Sequence, residues 1–260
     1  MLKDRVQGGN SKSIKILFLG QCLQYGYQNL DRSLTFVALA ISNLEARFPQ
    51  LELQLDLKQL YHPKGLKAIL RHRLLLSRPD IVVISVIGSF AAVYTRVNLL
   101  YEMAPEIVDT ARSFLQKVEA KRSGTGDLVK SNTPIDKLFA LHPPLALDEY
   151  ERLIMEGIEL CRTSACRVVL MGPGRFNEDT NENYAIPSPS LWPSVNEMVG
   201  RIGKSTNTAV IDVQSALSEH GGEVFLPNNI RWSRVGHQIV AREVERVLAS
   251  QIMSLNPIVV

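Results

Sequence analysis

The sequence has few cysteines and no strong excess of charge of either sign. Three cysteines occur in 260 residues, and the closest two, Cys161 and Cys166, are five positions apart with no histidine following at ligand spacing. This spacing argues against structural zinc, and we expect no metal or other cofactor. The 29 basic and 26 acidic residues are scattered and leave a net charge of +3. Without a basic stripe, we expect no nucleic-acid partner.

Long apolar runs are also missing. No run approaches the roughly 20 residues that cross a bilayer. Residues Met1 to Lys15 lack the apolar core of a signal peptide. We therefore expect a cytoplasmic protein without a membrane partner.

The sequence does contain the pattern of a folded α/β protein, and we expect one domain over residues 1–260. Hydrophobic residues make up 45 % of the chain and charged residues 21 %, which is ordinary for a globular protein. Three predicted strands are nearly continuous apolar runs, as in strands buried on both faces, whereas the second strand alternates and is expected near an edge. The five predicted strands are Ile14–Leu19, Leu51–Leu57, Ile81–Ile87, Arg167–Met171 and Thr208–Val213.

Helical patterns separate these strands. Asp148 and Glu151 form a capping-box pattern, which predicts the start of a helix leading into the fourth strand. Further helices are predicted over Pro105–Lys121 and Arg234–Ile252. The helix after the first strand is predicted from apolar residues at every fourth position, namely Phe36, Ala40, Leu44 and Phe48.

Strands that alternate with helices predict right-handed crossovers and a doubly wound parallel sheet. The ligand crevice of such a sheet lies at the carboxyl ends of its strands. We interpret residues 94–144 as a helical insertion over this crevice. Its helix is a lid or an interface, or the segment is a plain surface excursion.

Three short motifs follow predicted strands or close the chain. Residues 18–23 read FLGQCL, residues 87–90 read IGSF, and residues 228–237 read NNIRWSRVGH. In their order and spacing these motifs resemble the SGNH (GDSL-type) hydrolases, with several catalytic positions substituted. The resemblance implies a three-layer α/β fold with a five-stranded parallel sheet of flavodoxin-like type.

The resemblance also assigns catalytic positions. Cys22 stands where the family has its nucleophilic serine, and Ser89 stands where it has the asparagine of the oxyanion hole. The glycine donor of that hole is Gly65 or Gly88, and the sequence leaves both alternatives open. Asn228 and Arg231 replace the orienting aspartate and the catalytic histidine. Because arginine accepts no proton near neutral pH, this pair does not support the usual general-base step. Arg231 instead binds an anionic group or forms a salt bridge, and the sequence favours neither alternative.

Other residues are predicted to line the crevice. His62 and Gly65 follow the second strand, and Arg175 and Asn177 follow a Gly-Pro-Gly turn after the fourth. The polar segment from Asn177 to Pro193 is predicted to be a loop, in which Trp192 covers a ligand or fixes the loop to the body. In the family motif the histidine at position 237 is usually structural. The full set of predicted substrate-binding residues is Gln21, His62, Gly65, Arg175, Asn177, Trp232 and His237.

Whether the protein is an enzyme stays open in the sequence. The favoured hypothesis is acyl transfer from a small ester or thioester, with a thioester intermediate on Cys22. The main alternative is an inactive or repurposed protein that binds a small acyl or anionic ligand. A third hypothesis uses the inserted helix for assembly, which leaves homo-oligomer formation open.

Overall fold

The computed structural model describes residues 12–20, 31–60, 63–86, 146–175, 191–226 and 231–255. The strands in these ranges are β1 (Lys12–Gly20), β2 (Leu51–Gln59), β3 (Ile81–Ser85), β4 (Arg167–Met171) and β5 (Ala209–Ile211). All of their pairings are parallel, and the strand order is β2-β1-β3-β4-β5. The predicted five-stranded parallel sheet is confirmed, as is the edge position of the second strand.

The apolar runs are explained by the two layers that cover the sheet. In β1, Ile16 and Phe18 pack into the core on one face, and Leu17 and Leu19 pack into the core on the other. Strands β3 and β4 are buried in the same way because both of their faces are covered. Strand β2 has one neighbouring strand, and its residues after Leu51 are half-buried or exposed.

Helices cover both faces, so the predicted three-layer arrangement is confirmed. The helices are α1 (Phe36–Arg47), α2 (Leu66–Leu76), α3 (Leu147–Thr163), α4 (Leu191–Thr206), α5 (Val213–Ser218) and α6 (Arg234–Leu255). One core includes residues of α1, α5 and α6, and the other includes residues of α2, α3 and α4. Within the described ranges, no helix combines the length and apolarity needed to span a membrane.

Two details of the helix predictions are wrong. Helix α3 exists, but Asp148 is not its N-cap: the cap is Ala146, and the Asp148 carboxylate accepts from the Glu149 N–H at 2.8 Å. Asp148 lies in the first turn, where its charge complements the helix dipole. Trp192 and Pro193 lie in the first turn of α4 instead of a loop. Backbone N–H groups in the first turn have no acceptor within the helix, so a proline there removes no helical hydrogen bond.

Other predictions hold or are not tested. The four apolar residues that predicted α1 are all buried, and α6 begins at the predicted Arg234 and ends three residues beyond Ile252, at Leu255. The predicted helix Pro105–Lys121 and the whole 94–144 insertion lie outside the described residues. The single-domain assignment stays a prediction.

Candidate functional site

The carboxyl edge of the sheet is held together by hydrogen bonds just beyond the strands. The Gly20 carbonyl accepts from the Leu60 N–H at 3.0 Å, and the Val86 N–H donates to the Met171 carbonyl at 2.8 Å. The Gly172 N–H donates to the Ile211 carbonyl at 3.3 Å. These bonds fix the points from which the chain leaves the strands, where a doubly wound sheet binds its ligand.

The turn after β4 is fixed by a residue that the sequence analysis missed. The Asn196 side-chain amide on α4 donates to the Gly174 carbonyl at 2.8 Å and to the Trp192 carbonyl at 3.1 Å. Gly174 has a φ of +86°, which favours glycine. No sequence pattern marks Asn196, because it bonds to a backbone group 22 residues away.

Arg175 follows this turn, and its guanidinium is hydrogen-bonded to backbone. Its Nη1 donates to the His220 carbonyl at 3.0 Å, which ties the β4 turn to the segment after α5. The side chain is half-buried. A role in substrate binding stays a prediction.

Ser233 organises the start of α6. Its N–H donates to the Val224 carbonyl at 2.8 Å, and its hydroxyl donates to the Glu223 carbonyl at 2.5 Å. The same hydroxyl accepts from the Gly236 N–H at 3.3 Å, as an N-cap residue does. The serine of the Trp-Ser-x-x-Gly-His motif therefore caps the closing helix and fixes it to the 3₁₀ helix Gly222–Val224.

Gly236 is required by close packing of the same two segments. A Cβ atom at this position would lie 2.2 Å from the Val224 carbonyl oxygen and 3.0 Å from the Trp232 Cβ. An isolated antiparallel bridge also joins Phe225 to Trp232. The first distance is far below any real Cβ contact, so glycine is the residue that this geometry accepts.

His237 links α6 to the start of α1. Its Nδ1 accepts from the Phe36 N–H at 3.2 Å, while Thr35, the N-cap residue of α1, makes no side-chain cap bond. The imidazole is 8 % exposed, stacks on Phe36 with centroids 6.1 Å apart, and meets the edge of Trp232 at 5.8 Å. His237 therefore supplies an acceptor to the helix N-terminus that Thr35 does not.

This environment fixes the protonation state of His237. Burial lowers its pKa from 6.5 to about 4, because removal from water penalises the charged ring. An acceptor Nδ1 places the single proton on Nε2. A buried neutral ring bonded to backbone supports the structural role, and no described contact supports the predicted role in substrate binding.

The hydrogen bond between Phe36 and His237 also places Arg231 and Trp232 at the carboxyl edge. Helix α1 follows β1, so it begins at the edge where β1 ends. The Trp232 ring packs edge-on against Phe36, with centroids 5.5 Å apart. Arg231 precedes it, is half-buried, and accepts at its carbonyl from the Leu226 N–H at 2.9 Å. Arg231, Trp232 and His237 thus lie together near the exit of β1.

The remaining predicted site residues divide into two groups. Gly65 is buried at the end of the 3₁₀ helix Pro63–Gly65, on the connection from β2 to α2. Its predicted role in the crevice is not tested. The others lie outside the described residues: Gln21, Cys22, His62, Gly88, Ser89, Asn177 and Asn228.

The other two cysteines belong to the C-terminus of α3. The Cys166 Sγ lies 3.2 Å from the Cys161 carbonyl oxygen, and both residues are buried. Hydrogen bonding to Cys166 and burial raise the pKa of Cys161. Cys166 precedes β4, so the pair lies at the amino edge of the sheet, away from the crevice. In the part of the chain that the structure describes, no three His, Cys, Asp or Glu residues are grouped as metal ligands.

Comparison with solved structures identifies the fold. The acetylxylan esterase Axe2 from Geobacillus stearothermophilus matches with a TM-score of 0.57 and 18 % identity, over 92 % of this chain and 95 % of that chain. A lipase/acylhydrolase from Enterococcus faecalis matches with a TM-score of 0.57 and 16 % identity, over 92 % and 96 %. A tryptophan-to-isoleucine mutant of Axe2, described as an acetyl-xylooligosaccharide esterase, has a TM-score of 0.59 at 18 % identity, over 92 % and 95 %.

No protein-family model matches the chain, and no curated protein matches it. At this low identity, the structural likeness establishes the architecture and not the reaction. The chain has the SGNH hydrolase fold.

Proposed function

We propose that the protein transfers acyl groups from small esters or thioesters, with the Cys22 thiol as nucleophile. The observation that carries the proposal is the 3.2 Å hydrogen bond between Phe36 N–H and His237 Nδ1. It holds the segment containing Arg231 at the edge where β1 ends, and Cys22 follows the last residue of β1, Gly20, by two positions. The esterase and acylhydrolase structures that share the fold add support by analogy.

The chemistry requires a thiolate and an acyl donor. The Cys22 thiol gives up its proton, its sulfur attacks the acyl carbonyl to form a thioester, and the alcohol or thiol leaves with that proton. Water or another acceptor then attacks the thioester, which releases the acyl product and returns the proton to sulfur. A free thiol ionises near pH 8.5, so it needs less help from a base than a serine hydroxyl does.

Arg231 is better suited to stabilise a thiolate than to act as a base. An arginine side chain stays protonated, and a nearby cation lowers the pKa of a thiol. We infer that Arg231 favours the Cys22 thiolate and the negative charge that develops on the acyl oxygen. A cysteine and an arginine would then replace the serine and histidine of the family.

Acetylation by p-nitrophenyl acetate tests the nucleophile. The native protein, mapped by peptide mass spectrometry, should carry acetyl on Cys22. Cys161 at 0 % and Cys166 at 6 % exposure are internal controls that should stay unmodified until the protein is denatured. Cys22→Ala should lose turnover, whereas Cys161→Ala should retain it. An unmodified Cys22 in the native protein refutes the nucleophilic role.

The alternative is a binding protein in which Arg231 holds the carboxylate of a small acid. It rests on the same position of Arg231 and on the absence of a histidine there. With acetate as the probe in NMR titrations, Arg231→Gln should then lose binding while Cys22→Ala keeps it. Equal binding by both variants and the unmodified protein would reject this alternative.

Rebuilding the family triad tests whether positions 228 and 231 face position 22. Catalytic mutants of Axe2 replace a serine, an aspartate and a histidine, the latter two lying three positions apart, as Asn228 and Arg231 do. A triple variant with Cys22→Ser, Asn228→Asp and Arg231→His should hydrolyse p-nitrophenyl acetate about 10²-fold faster than Cys22→Ser alone. No gain would show that these positions are not arranged as a triad.

A further inference from the structure

The C-terminal end of α2 carries an exposed apolar tip. The helix buries Leu66, Ile69 and Leu70 against the sheet layer, but Leu75 is 76 % exposed and Leu76 is 66 % exposed. The buried residues fill the core on this face of the sheet, so the two terminal leucines are not needed there. Two adjacent exposed leucines require another explanation.

The sequence around these leucines is basic. Residues 58–79 contain six Lys or Arg residues and no Asp or Glu, although the whole chain has a net charge of only +3. Within the described ranges, three of these cations have an acidic partner on other elements: Lys64 with Glu149, Lys67 with Glu156, and Arg73 with Asp56.

Two exposed cations next to the leucines lack such partners. Arg71 and Arg78 make no ion pair with any residue in the described ranges. Arg71 and Leu75 are four positions apart on α2, so they share a face of the helix, and Arg78 follows the helix end. The exposed surface formed by Arg71, His72, Leu75, Leu76 and Arg78 is called here the α2 tip.

We propose that the α2 tip binds the surface of an anionic phospholipid bilayer. Leucine side chains enter the boundary between headgroups and acyl chains, while neighbouring arginines attract anionic headgroups. Two leucines are too small a patch for a specific protein interface, which buries about 1,000 Å² or more. A lipid surface adapts to such a small tip. This inference differs from the sequence-based expectation of no membrane partner.

The position of the tip gives the bound protein an orientation. Helix α2 leads directly into β3, so its C-terminus lies at the amino edge of the sheet. The candidate site lies at the opposite, carboxyl edge. A protein bound through the α2 tip would therefore hold its crevice away from the bilayer, and the proposal does not depend on any catalytic activity.

Co-sedimentation with vesicles tests the proposal. The full chain should bind phosphatidylserine/phosphatidylcholine vesicles at low salt, bind less at higher salt, and not bind phosphatidylcholine alone. Arg71→Gln and Arg78→Gln should each weaken binding about fivefold, equivalent to ~1 kcal/mol per cation. Arg242→Gln, which removes an exposed cation from α6, is the matched control and should change binding less than twofold.

Substituting the two leucines distinguishes insertion into the bilayer from charge attraction alone. A Leu75→Gln and Leu76→Gln double variant should weaken vesicle binding at least about tenfold, and both sites are exposed, so the fold should remain intact. Unchanged binding by this variant, or no binding by the unmodified chain at low salt, overturns the proposal. A dimer in light scattering that the leucine variant abolishes would also overturn it, because a second copy would then occupy the tip.

Discussion

The buried imidazole of His237 should make the stability of the protein sensitive to mild acid. Its pKa is about 4 in the folded chain and 6.5 as the ordinary value. Below pH 6.5 the unfolded chain binds a proton that the folded chain does not, so stability falls as the pH falls from 6.5 towards 4. This pKa difference of about 2.5 corresponds to a loss of about 3 kcal/mol in the free energy of unfolding once both states are protonated. About 2 kcal/mol of that loss has occurred by pH 5.

The measurement compares urea unfolding at pH 7.5 and pH 5. Two variants remove the titrating ring. His237→Asn keeps an acceptor near the Nδ1 position, whereas His237→Phe keeps the ring volume and leaves the Phe36 N–H without its acceptor. Both should be less stable than the unmodified protein at pH 7.5, the second by about 1–3 kcal/mol for the unsatisfied N–H. Neither should show the additional loss of about 2 kcal/mol between pH 7.5 and pH 5.

In the described part of the chain, two carboxyl groups have lowered pKa values and titrate below this window. Hydrogen bonding to Lys67 lowers the pKa of Glu156 from 4.5, and hydrogen bonding to Ser33 lowers the pKa of Asp31 from 3.8. Their contributions are therefore lost at lower pH than the range used here. Equal acid sensitivity in the unmodified protein and both variants would refute the assignment to His237.

Two further substitutions test the backbone geometry. Gly236→Ala should destabilise the protein by about 3 kcal/mol or more in urea unfolding, because its Cβ would lie 2.2 Å from the Val224 carbonyl oxygen; an alanine variant of unchanged stability would contradict this packing. Ala165→Gly should stabilise the protein by about 1 kcal/mol, because Ala165 has a φ of +57° after α3, a conformation that glycine adopts without strain. A lower melting temperature for Ala165→Gly would contradict this expectation.

The sheet was predictable because its signals are local and strong. A strand covered on both faces must be apolar at nearly every position, and β1, β3 and β4 meet that condition. The half-exposed pattern of β2 likewise follows from its single neighbour. The parallel pairing of these strands then follows from the helices between them, which form the crossover connections.

The helix starts were less predictable because several signals compete there. Asp148 has the sequence pattern of a cap but lies two residues after the cap, in the first turn, where an acidic residue is also favourable. Helix α4 was missed because Pro193 and the polar residues before it indicate a loop, and proline is equally compatible with a first turn. In both cases one residue type suits two neighbouring positions, and tertiary packing decides between them.

The closing motif predicts the fold because its matched residues are those that hold the last helix in place. Ser233, Gly236 and His237 match the family motif, and each has a contact that holds α6 against the 3₁₀ helix or α1. Asn228 and Arg231, the positions that carry chemistry in the family, are the ones that differ. Packing contacts can therefore persist when catalytic side chains change, since the helix contacts need neither the aspartate nor the first histidine. The matched residues of the motif hold position 231 at the carboxyl edge, and the proposed role of Arg231 depends on the substituted residues.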